Sequence, residues 1–412
     1  MAKKMAIIGG GIHGVHIANS FISAGIFDLH EICIVDPHGS LLENWRNLTS
    51  RVGMSHLRSP SVHNLAVNPN DLKRTFRNKR RHFAFPYSRP RLEVFNKHSI
   101  AIVEDLGLSS VHLQGTVEQI KPVGDFFRIQ LTSLVEFFCE NLIFAIGNGI
   151  DHHNIPAWAE KYVHSEESAV RHIFSSNFEM GDSESVTIVG GGMTASQYAV
   201  QCANQGREVH LVMRRKLKIH HFDSDPCWLG PKCLVAYERN KSLSARRVMI
   251  SRARNLGSVN PAVKSSLDRL VNAGKIKVCV GEVDNVVKKD GLFHYSVNEK
   301  GYSTKQMILA TGFKKARPGG NLIDHFVSDY DLPLSPCGYP VVDENLKWAK
   351  GVFVSGSLAE LELGPAAKNI SGARMAARRI VSYFASRSNE KPDLNYRLRI
   401  PYGGEKELGS FS

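Results

Sequence analysis

The chain has 412 residues, 42% of them hydrophobic and 22% charged, a length for two or three domains with real cores and a composition that excludes fibrous and disordered classes. Its first apolar strand starts within five residues of Met1, and no apolar run approaches the ~18–20 residues of a membrane span. No signal peptide and no membrane span are therefore expected, and the cytoplasm is the expected location.

In chain order, Ala6-Ile7-Ile8 predicts a buried strand and Gly9-Gly10-Gly11-Ile12-His13-Gly14 supplies G-x-G-x-x-G. Gly9, Gly11 and Gly14 let the chain turn tightly, approach a pyrophosphate and pack helix on strand, with helix N-terminal N–H groups facing the anion. Val15, Ala18, Phe21 and Ile22 then fall on one helical face before Gly25. The next strand, Ile32-Cys33-Ile34-Val35, is closed by Asp36. A carboxylate there accepts from an adenosine ribose 2′-OH and repels a 2′-phosphate, so the first unit suits FAD.

Trp45 follows, either as a packing residue or as a ring stacked near isoalloxazine. Arg58, in Leu57-Arg58-Ser59-Pro60, suits a cofactor phosphate, a substrate carboxylate or a surface salt bridge. The net charge of +13 is densest at Lys73, Arg74, Arg77, Lys79, Arg80, Arg81, Arg89 and Arg91. With no recognised nucleic-acid module beside it, that stretch reads as a solvated loop beside a channel for negatively charged cofactors. Thr116 to Leu131, turning at Gly124-Asp125, predicts an antiparallel excursion, and Leu142 to Gly147 a strand running into a small-residue hinge.

The plan then repeats. Val186 to Val189 leads into Gly190-Gly191-Gly192-Met193-Thr194-Ala195, a G-x-G-x-x-A turn in which Gly190 and Gly192 keep the early positions open and Ala195 takes the packing position. Ala195, Tyr198, Ala199, Cys202 and Ala203 share a helical face before Gly206. The following strand, Val209 to Val212, ends in Met213, Arg214 and Arg215. Guanidinium groups there favour a 2′-phosphate through charge-assisted bonds of roughly 1.5–3 kcal/mol each, so the second unit suits NADPH.

Residues 216–260 form a basic segment without strong periodicity, a candidate lid. Its His220, His221, Asp223, Asp225 and Cys227 match no familiar metal-ligand spacing, and no metal is expected. Asn260-Pro261 predicts an N-cap and first helical position, with Gly274 as the stop. Glu282 to Val297 repeats the antiparallel excursion and Met307 to Gly312 the hinge.

Near the C-terminus Val352-Phe353-Val354 enters Ser355-Gly356-Ser357, and after Leu363-Gly364-Pro365 a helix carries Ile370, Ala373, Ala377, Ile380, Val381 and Phe384 on one face. Gly356 and Gly364 are assigned to cofactor binding. The expected fold is α/β, with two Rossmann-like dinucleotide-binding domains. A discontinuous FAD domain (1–165 and 316–390) carries an inserted NADPH domain (166–315), and 391–412 form a polar tail.

Seven cysteines, odd in number and mostly isolated, argue against a disulfide framework. Cys227 and Cys233, the close pair, lack C-x-x-C spacing and lie away from the first glycine turn, so a flavin-coupled redox disulfide is not expected.

Together the FAD turn, Trp45, the Ala145-Ile146-Gly147 hinge, the NADPH turn, the Ala310-Thr311-Gly312 hinge and the C-terminal helix resemble the class B flavoprotein monooxygenases over most of the chain. Trp45-Arg46-Asn47-Leu48 followed by Met54 to Pro60 is similar to the flavin segment of siderophore-type ornithine and lysine N-hydroxylases and of flavin-containing monooxygenases. Ile155-Pro156-Ala157-Trp158 with Val163-His164-Ser165 resembles their linker, where His164 is either a capping or core histidine or a group touching nicotinamide. The fingerprint F-x-G-x-x-x-H-x-x-x-W would fall on Trp158, Glu160, His164 and Ser168 and keeps its histidine alone, while Ser357 stands where many two-nucleotide flavoproteins have an acid. These departures leave the N-hydroxylase-like branch as the nearer resemblance.

That resemblance implies an FAD-dependent, NADPH-consuming monooxygenase that forms a flavin hydroperoxide and oxygenates a small nucleophilic amine or thioether, with O2 as co-substrate. The cofactor carries the hard chemistry, and no catalytic side chain is assigned. The same nucleotide features also suit an NADPH-dependent flavoprotein reductase passing electrons to a quinone or protein acceptor, or a non-catalytic flavoprotein whose basic face binds an acidic partner.

Overall fold

The computed structural model describes residues 2–149, 152–163, 169–176 and 178–387. His164, Ser165, Ser168 and the tail 391–412 lie outside the described residues. Two parallel sheets organise the chain. In the first, the strands His112–Gln114, Ile32–Asp36, Lys3–Ile8, Glu136–Phe144 and Val352–Val354 lie side by side in that order, all parallel, with Lys347–Ala349 antiparallel on the outer edge. In the second, Ile276–Val280, Glu208–Met213, Ser185–Val189, Met307–Leu309 and Val170–His172 follow the same order. Each is a Rossmann sheet whose strand order reverses at its glycine-bearing strand, so each glycine turn sits at a topological switch point.

Sheets covered by helices on both faces need strands apolar throughout. Met5, Ala6 and Ile7 are wholly buried, as are Ile188 and Leu211. The helix Ile12–Ser23 crosses the first sheet and packs on the helix Ile370–Ala385, where Phe21, Phe27 and Phe384 meet edge to face at 5.0–5.6 Å. Since the C-terminal helix packs here and the strand Val352–Val354 pairs with Glu136–Phe144, the first unit is assembled from both ends of the chain.

Both antiparallel excursions form as three-stranded meanders. Val117–Val123, Phe126–Leu131 and Glu136–Phe144 extend the first sheet, whereas Asp284–Lys289, Leu292–Val297 and Lys300–Thr304 form a separate sheet. Helix Pro261–Asn272 starts as its sequence requires: the Asn260 side chain accepts from the Val263 N–H at 2.9 Å, Pro261 occupies the first helical position, and Gly274 (φ +72°) follows the end.

The basic segment between the second glycine unit and Asn260 is not irregular. It contains the 3-10 turn Pro226–Leu229 and the helices Pro231–Arg239 and Leu243–Ala253. Pro231 at a first helical position and the Ser242 hydroxyl accepting from the Ala245 N–H are ordinary start signals. The apolar stripe is missing because the second helix buries Arg246 beside Ile250, so periodicity in hydrophobicity does not reveal it. Cys227 and Cys233 are also not isolated thiols: they form a disulfide, with Cα atoms 5.2 Å apart. The other five cysteines are free, and burial pushes the thiol of Cys33 up to about 11 and those of Cys139 and Cys202 to about 12. Among the described residues no helix is long and apolar enough to cross a membrane.

Candidate dinucleotide sites and the contacts between them

The first turn is built so that cofactor space opens at one glycine and is filled at the others. Gly9 has φ +117°, and a Cβ there would stand 2.5 Å from the Ala145 carbonyl oxygen. A Cβ on Gly14 would collide with the Gly9 carbonyl, which is the close helix–strand packing that position exists for. Around Gly11, by contrast, a Cβ would meet no atom within 4 Å. Its carbonyl accepts from the Val15 N–H at 3.0 Å, so the helix N-terminus opens there onto free space. The residues present fit a pyrophosphate at this point.

Asp36 closes the strand as predicted. Its carboxylate accepts from the Gly10 N–H at 2.7 Å and, through its other oxygen, from the His38 N–H at 3.0 Å, with the His38 ring 2.7 Å away. The carboxylate is thus held against the glycine turn, where an adenosine ribose would lie. His13, in the third variable position of the turn, has Nδ1 2.8 Å from the Ser355 hydroxyl and its ring against Gly356 (φ +66°). Burial lowers its pKa to about 4, so it is a neutral polar wall linking the first turn to the C-terminal segment. The sequence reading did not single it out.

The second turn copies the first. Gly190 (φ +156°) abuts the Ala310 carbonyl as Gly9 abuts that of Ala145, so each first glycine is packed under the hinge of its own unit. Gly190 N–H donates to Val212 and Gly9 N–H to Val35, at 2.9 and 2.8 Å. Ala195 is fully buried, while a Cβ on Gly192 would find only the Gly257 backbone, at 4.0 Å. Arg214, Arg215 and Lys216 are exposed, and among the described residues none of the three has an ion-pair partner. These are cations available to an anion at the strand end where a 2′-phosphate would sit. The hinge beyond is packed by aromatic rings: His172 stacks on His153 at 4.0 Å and approaches the Gly312 carbonyl at 3.2 Å, and Phe174 stacks on Phe313 at 5.4 Å.

Trp45 lies on the helix Glu43–Arg51, its indole N–H donating to Asn96 at 3.0 Å and its ring 5.5 Å from Phe95. Among the described residues Arg58 makes no ion pair, though the Asp223 charge is near it. Its guanidinium donates to the carbonyls of His220, His221 and Phe222 and to the Ser258 hydroxyl, at 2.8–3.0 Å, tying the first unit to the lid segment. Arg51 does the same for the second unit, donating to Ile173 and Ser175 carbonyls at 2.9 and 2.8 Å beneath the Phe178 ring. Of the basic stretch, Arg89 is buried, its guanidinium 3.4 Å from the Leu57 carbonyl.

The lid segment is seated on residues 360–364. The Glu360 carboxylate, itself 3% exposed, accepts from Arg247 and from Arg254, the latter at 2.6 Å. Arg246 bonds Glu362 and the Leu361 carbonyl at 2.8 and 2.9 Å, and the buried Tyr237 hydroxyl bonds the carbonyls of Glu360 and Leu361. Gly364 (φ +81°) faces this segment, since a Cβ there would contact Leu234, Tyr237 and Trp228 at 3.6–3.9 Å. None of these clamps carried a motif; each needs two distant segments to meet.

Two Rossmann units with open glycine turns, joined by hinges that pass under those turns, define an oxidoreductase of the two-dinucleotide flavoprotein class with an FAD-binding fold. A family model described as pyridine nucleotide-disulphide oxidoreductase matches residues 6–245, and the chain belongs to that family. No curated protein sequence matches it. Among solved structures it is similar to the Kutzneria sp. 744 ornithine N-hydroxylase (TM-score 0.72, 16% identity, 94% of this chain and 100% of that one). It is also similar to L-lysine 6-monooxygenase from Pseudomonas syringae (0.69, 16%, 94% and 100%) and to the bacillithiol disulfide reductase of Bacillus cereus (0.59, 16%, 94% and 100%). At these identities the likeness is one of fold.

Proposed function

We propose that the protein is an FAD-dependent, NADPH-consuming monooxygenase acting on a small nucleophilic substrate, an amine or a thioether. The observation that carries the nucleotide assignment is the opposite charge at two equivalent strand ends, Asp36 fixed on the first glycine turn and Arg214 and Arg215 free beside the second. FAD, when bound, supplies hydride acceptance and the transfer of one atom of O2 to substrate. The chain's own part is positional. Gly9, Gly11 and Gly14 admit the FAD pyrophosphate, Asp36 takes the ribose, and the Gly190 turn with Arg214 and Arg215 holds NADPH.

Two features suit a site in which two nucleotides are held in place for hydride transfer. The candidate lid is held through Arg246, Arg247 and Arg254 on the segment 360–362, a few residues after Gly356. The first and second units are also clamped at Arg51 and Arg58, which keeps the two nucleotide turns in fixed relation. The Kutzneria ornithine N-hydroxylase structure is of the complex with reduced FAD, NADP+ and L-ornithine, so the same class of substrate is the first to test here.

The test is NADPH oxidation by the FAD-loaded protein with a panel of amines, amino acids and thioethers, with product mass and peroxide measured together. The expected result is an oxygenated product from at least one member, with peroxide falling as product rises. Stoichiometric peroxide with every member, together with rapid reduction of quinones, would replace this reading by the NADPH-dependent reductase.

A further inference from the structure

The lid meets the segment 360–364 through two kinds of contact. One is ionic and hydrogen-bonded, from Tyr237, Arg246, Arg247 and Arg254. The other is apolar and belongs to the stretch bridged by Cys227 and Cys233: Trp228 and Leu234 lie with Tyr237 against Gly364. Trp228 is inside the loop that the disulfide closes, edge-on to Tyr237 at 5.8 Å. The 3-10 turn Pro226–Leu229 is joined to the helix Pro231–Arg239 through Gly230, an extended residue with no side chain of its own to pack. The covalent bridge therefore fixes how that turn sits on the helix, and with it how Trp228 sits on Gly364.

Both bridged cysteines are half-buried, whereas Cys33, Cys139 and Cys202 are sealed in the cores. Cys337 is free and exposed. A single half-buried bridge in a chain whose other cysteines are free thiols is accessible to exchange and is not part of a disulfide framework.

We propose that Cys227–Cys233 is a thiol–disulfide exchange site, opened by a dithiol reductant, and that its opening loosens the seat of the lid on residues 360–364. One thiolate of the reductant attacks a sulfur of the pair, forming a mixed disulfide and releasing the other cysteine as a thiolate. The second thiol of the reductant then displaces the mixed disulfide. The protein gains two thiols, that is two electrons and two protons, and the reductant leaves as its own disulfide. The exchange draws nothing from FAD or NADPH and stands independently of the monooxygenase reading.

Lys232, exposed and inside the bridged loop, offers a direct readout. The full chain, with and without dithiothreitol, is alkylated with iodoacetamide for mass analysis and digested briefly with trypsin. Reduction is expected to add two alkylated thiols, at Cys227 and Cys233, and to speed cleavage after Lys232 by about tenfold, the order expected when a short cross-link is removed. A Cys227→Ser/Cys233→Ser variant should be cut at the fast rate in both conditions, and Cys337→Ser should respond as the parent does. Failure of the folded parent protein to gain those two thiols, or cleavage rates within about twofold in the two states, overturns the proposal. The parent comparison decides this even if the double variant does not fold.

Discussion

Replacing Gly11 by Ala separates what the first turn does for the fold from what it does for the cofactor. Gly11 has φ −80° and ψ −164°, extended backbone open to any residue, and its Cβ would meet no atom within 4 Å. As an N-cap without a side-chain bond, it should cost the cofactor-free protein no more than about 1 kcal/mol on becoming alanine. The new methyl projects where the pyrophosphate has to approach. Losing one charge-assisted N–H to phosphate bond, about 1.5–3 kcal/mol, weakens FAD by about ten- to hundredfold. The assay is FAD titration of stripped protein by flavin fluorescence, beside a melting curve taken without FAD. An FAD affinity equal to that of the parent would refute the assignment, and so would a collapsed melting temperature in the cofactor-free variant. Gly9→Ala supplies the contrast, since with φ +117° and the Ala145 carbonyl 2.5 Å from its Cβ it should damage the fold itself.

Arg214→Ala/Arg215→Ala should raise KM for NADPH by one to two orders of magnitude and leave NADH nearly unchanged, from the ~1.5–3 kcal/mol of each lost charged bond; equal effects on both coenzymes would remove the 2′-phosphate reading. Glu360→Gln leaves Arg247 and Arg254 without their shared buried carboxylate, and urea unfolding should show a loss of about 3 kcal/mol, against no change if the pair is dispensable. The pH dependence follows from buried histidines: burial lowers the pKa values of His13 and His63 to about 4 and those of His16 and His172 to about 3, with the Arg374 charge adding to the effect on His16 and His63 and His153 to that on His172. Each is neutral in the fold and takes up a proton near pH 6.5 once unfolded, so its stabilisation is complete above pH 6.5 and is lost as pH falls towards its lowered pKa. The expected slope is about 1.4 kcal/mol per pH unit for each. Urea unfolding between pH 7.5 and 5.0 should show it, and His172→Gln should reduce the slope by one such increment; an unchanged slope would mean that His172 is already protonated in the fold.

What the sequence disclosed, and what it hid, divide along a physical line. Both Rossmann units were legible because each is a local device: a buried strand, glycines where a Cβ would strike a hinge carbonyl, and a helix, all within about thirty residues. The charges of Asp36, Arg214 and Arg215 were legible for the same reason, since the strand end fixes where they stand. The helices of the lid were not, because they are held by buried arginines together with a few scattered apolar residues such as Tyr237 and Ile250, and not by a continuous apolar stripe. Arg246 is buried against Glu362 and Leu361, more than a hundred residues away, and no pattern in either segment announces its partner. Arg58 shows the same limit from the other side. Its charge invited an anion, but in the fold it finds three carbonyls and a hydroxyl of the lid, a need created only when 58 and 220–222 meet. Cys227 and Cys233 fail the usual spacing rule because they do not span a helical turn of a redox motif; they bridge a 3-10 turn and the helix after it, across Gly230 and Pro231. Local chemistry thus specifies the nucleotide turns, while long-range arginine contacts and one short-range disulfide specify how the lid segment is seated on residues 360–364 and joined to the first unit. Substrate selection is accordingly expected to change with substitutions in 217–257, and coenzyme selection with substitutions at 214 and 215.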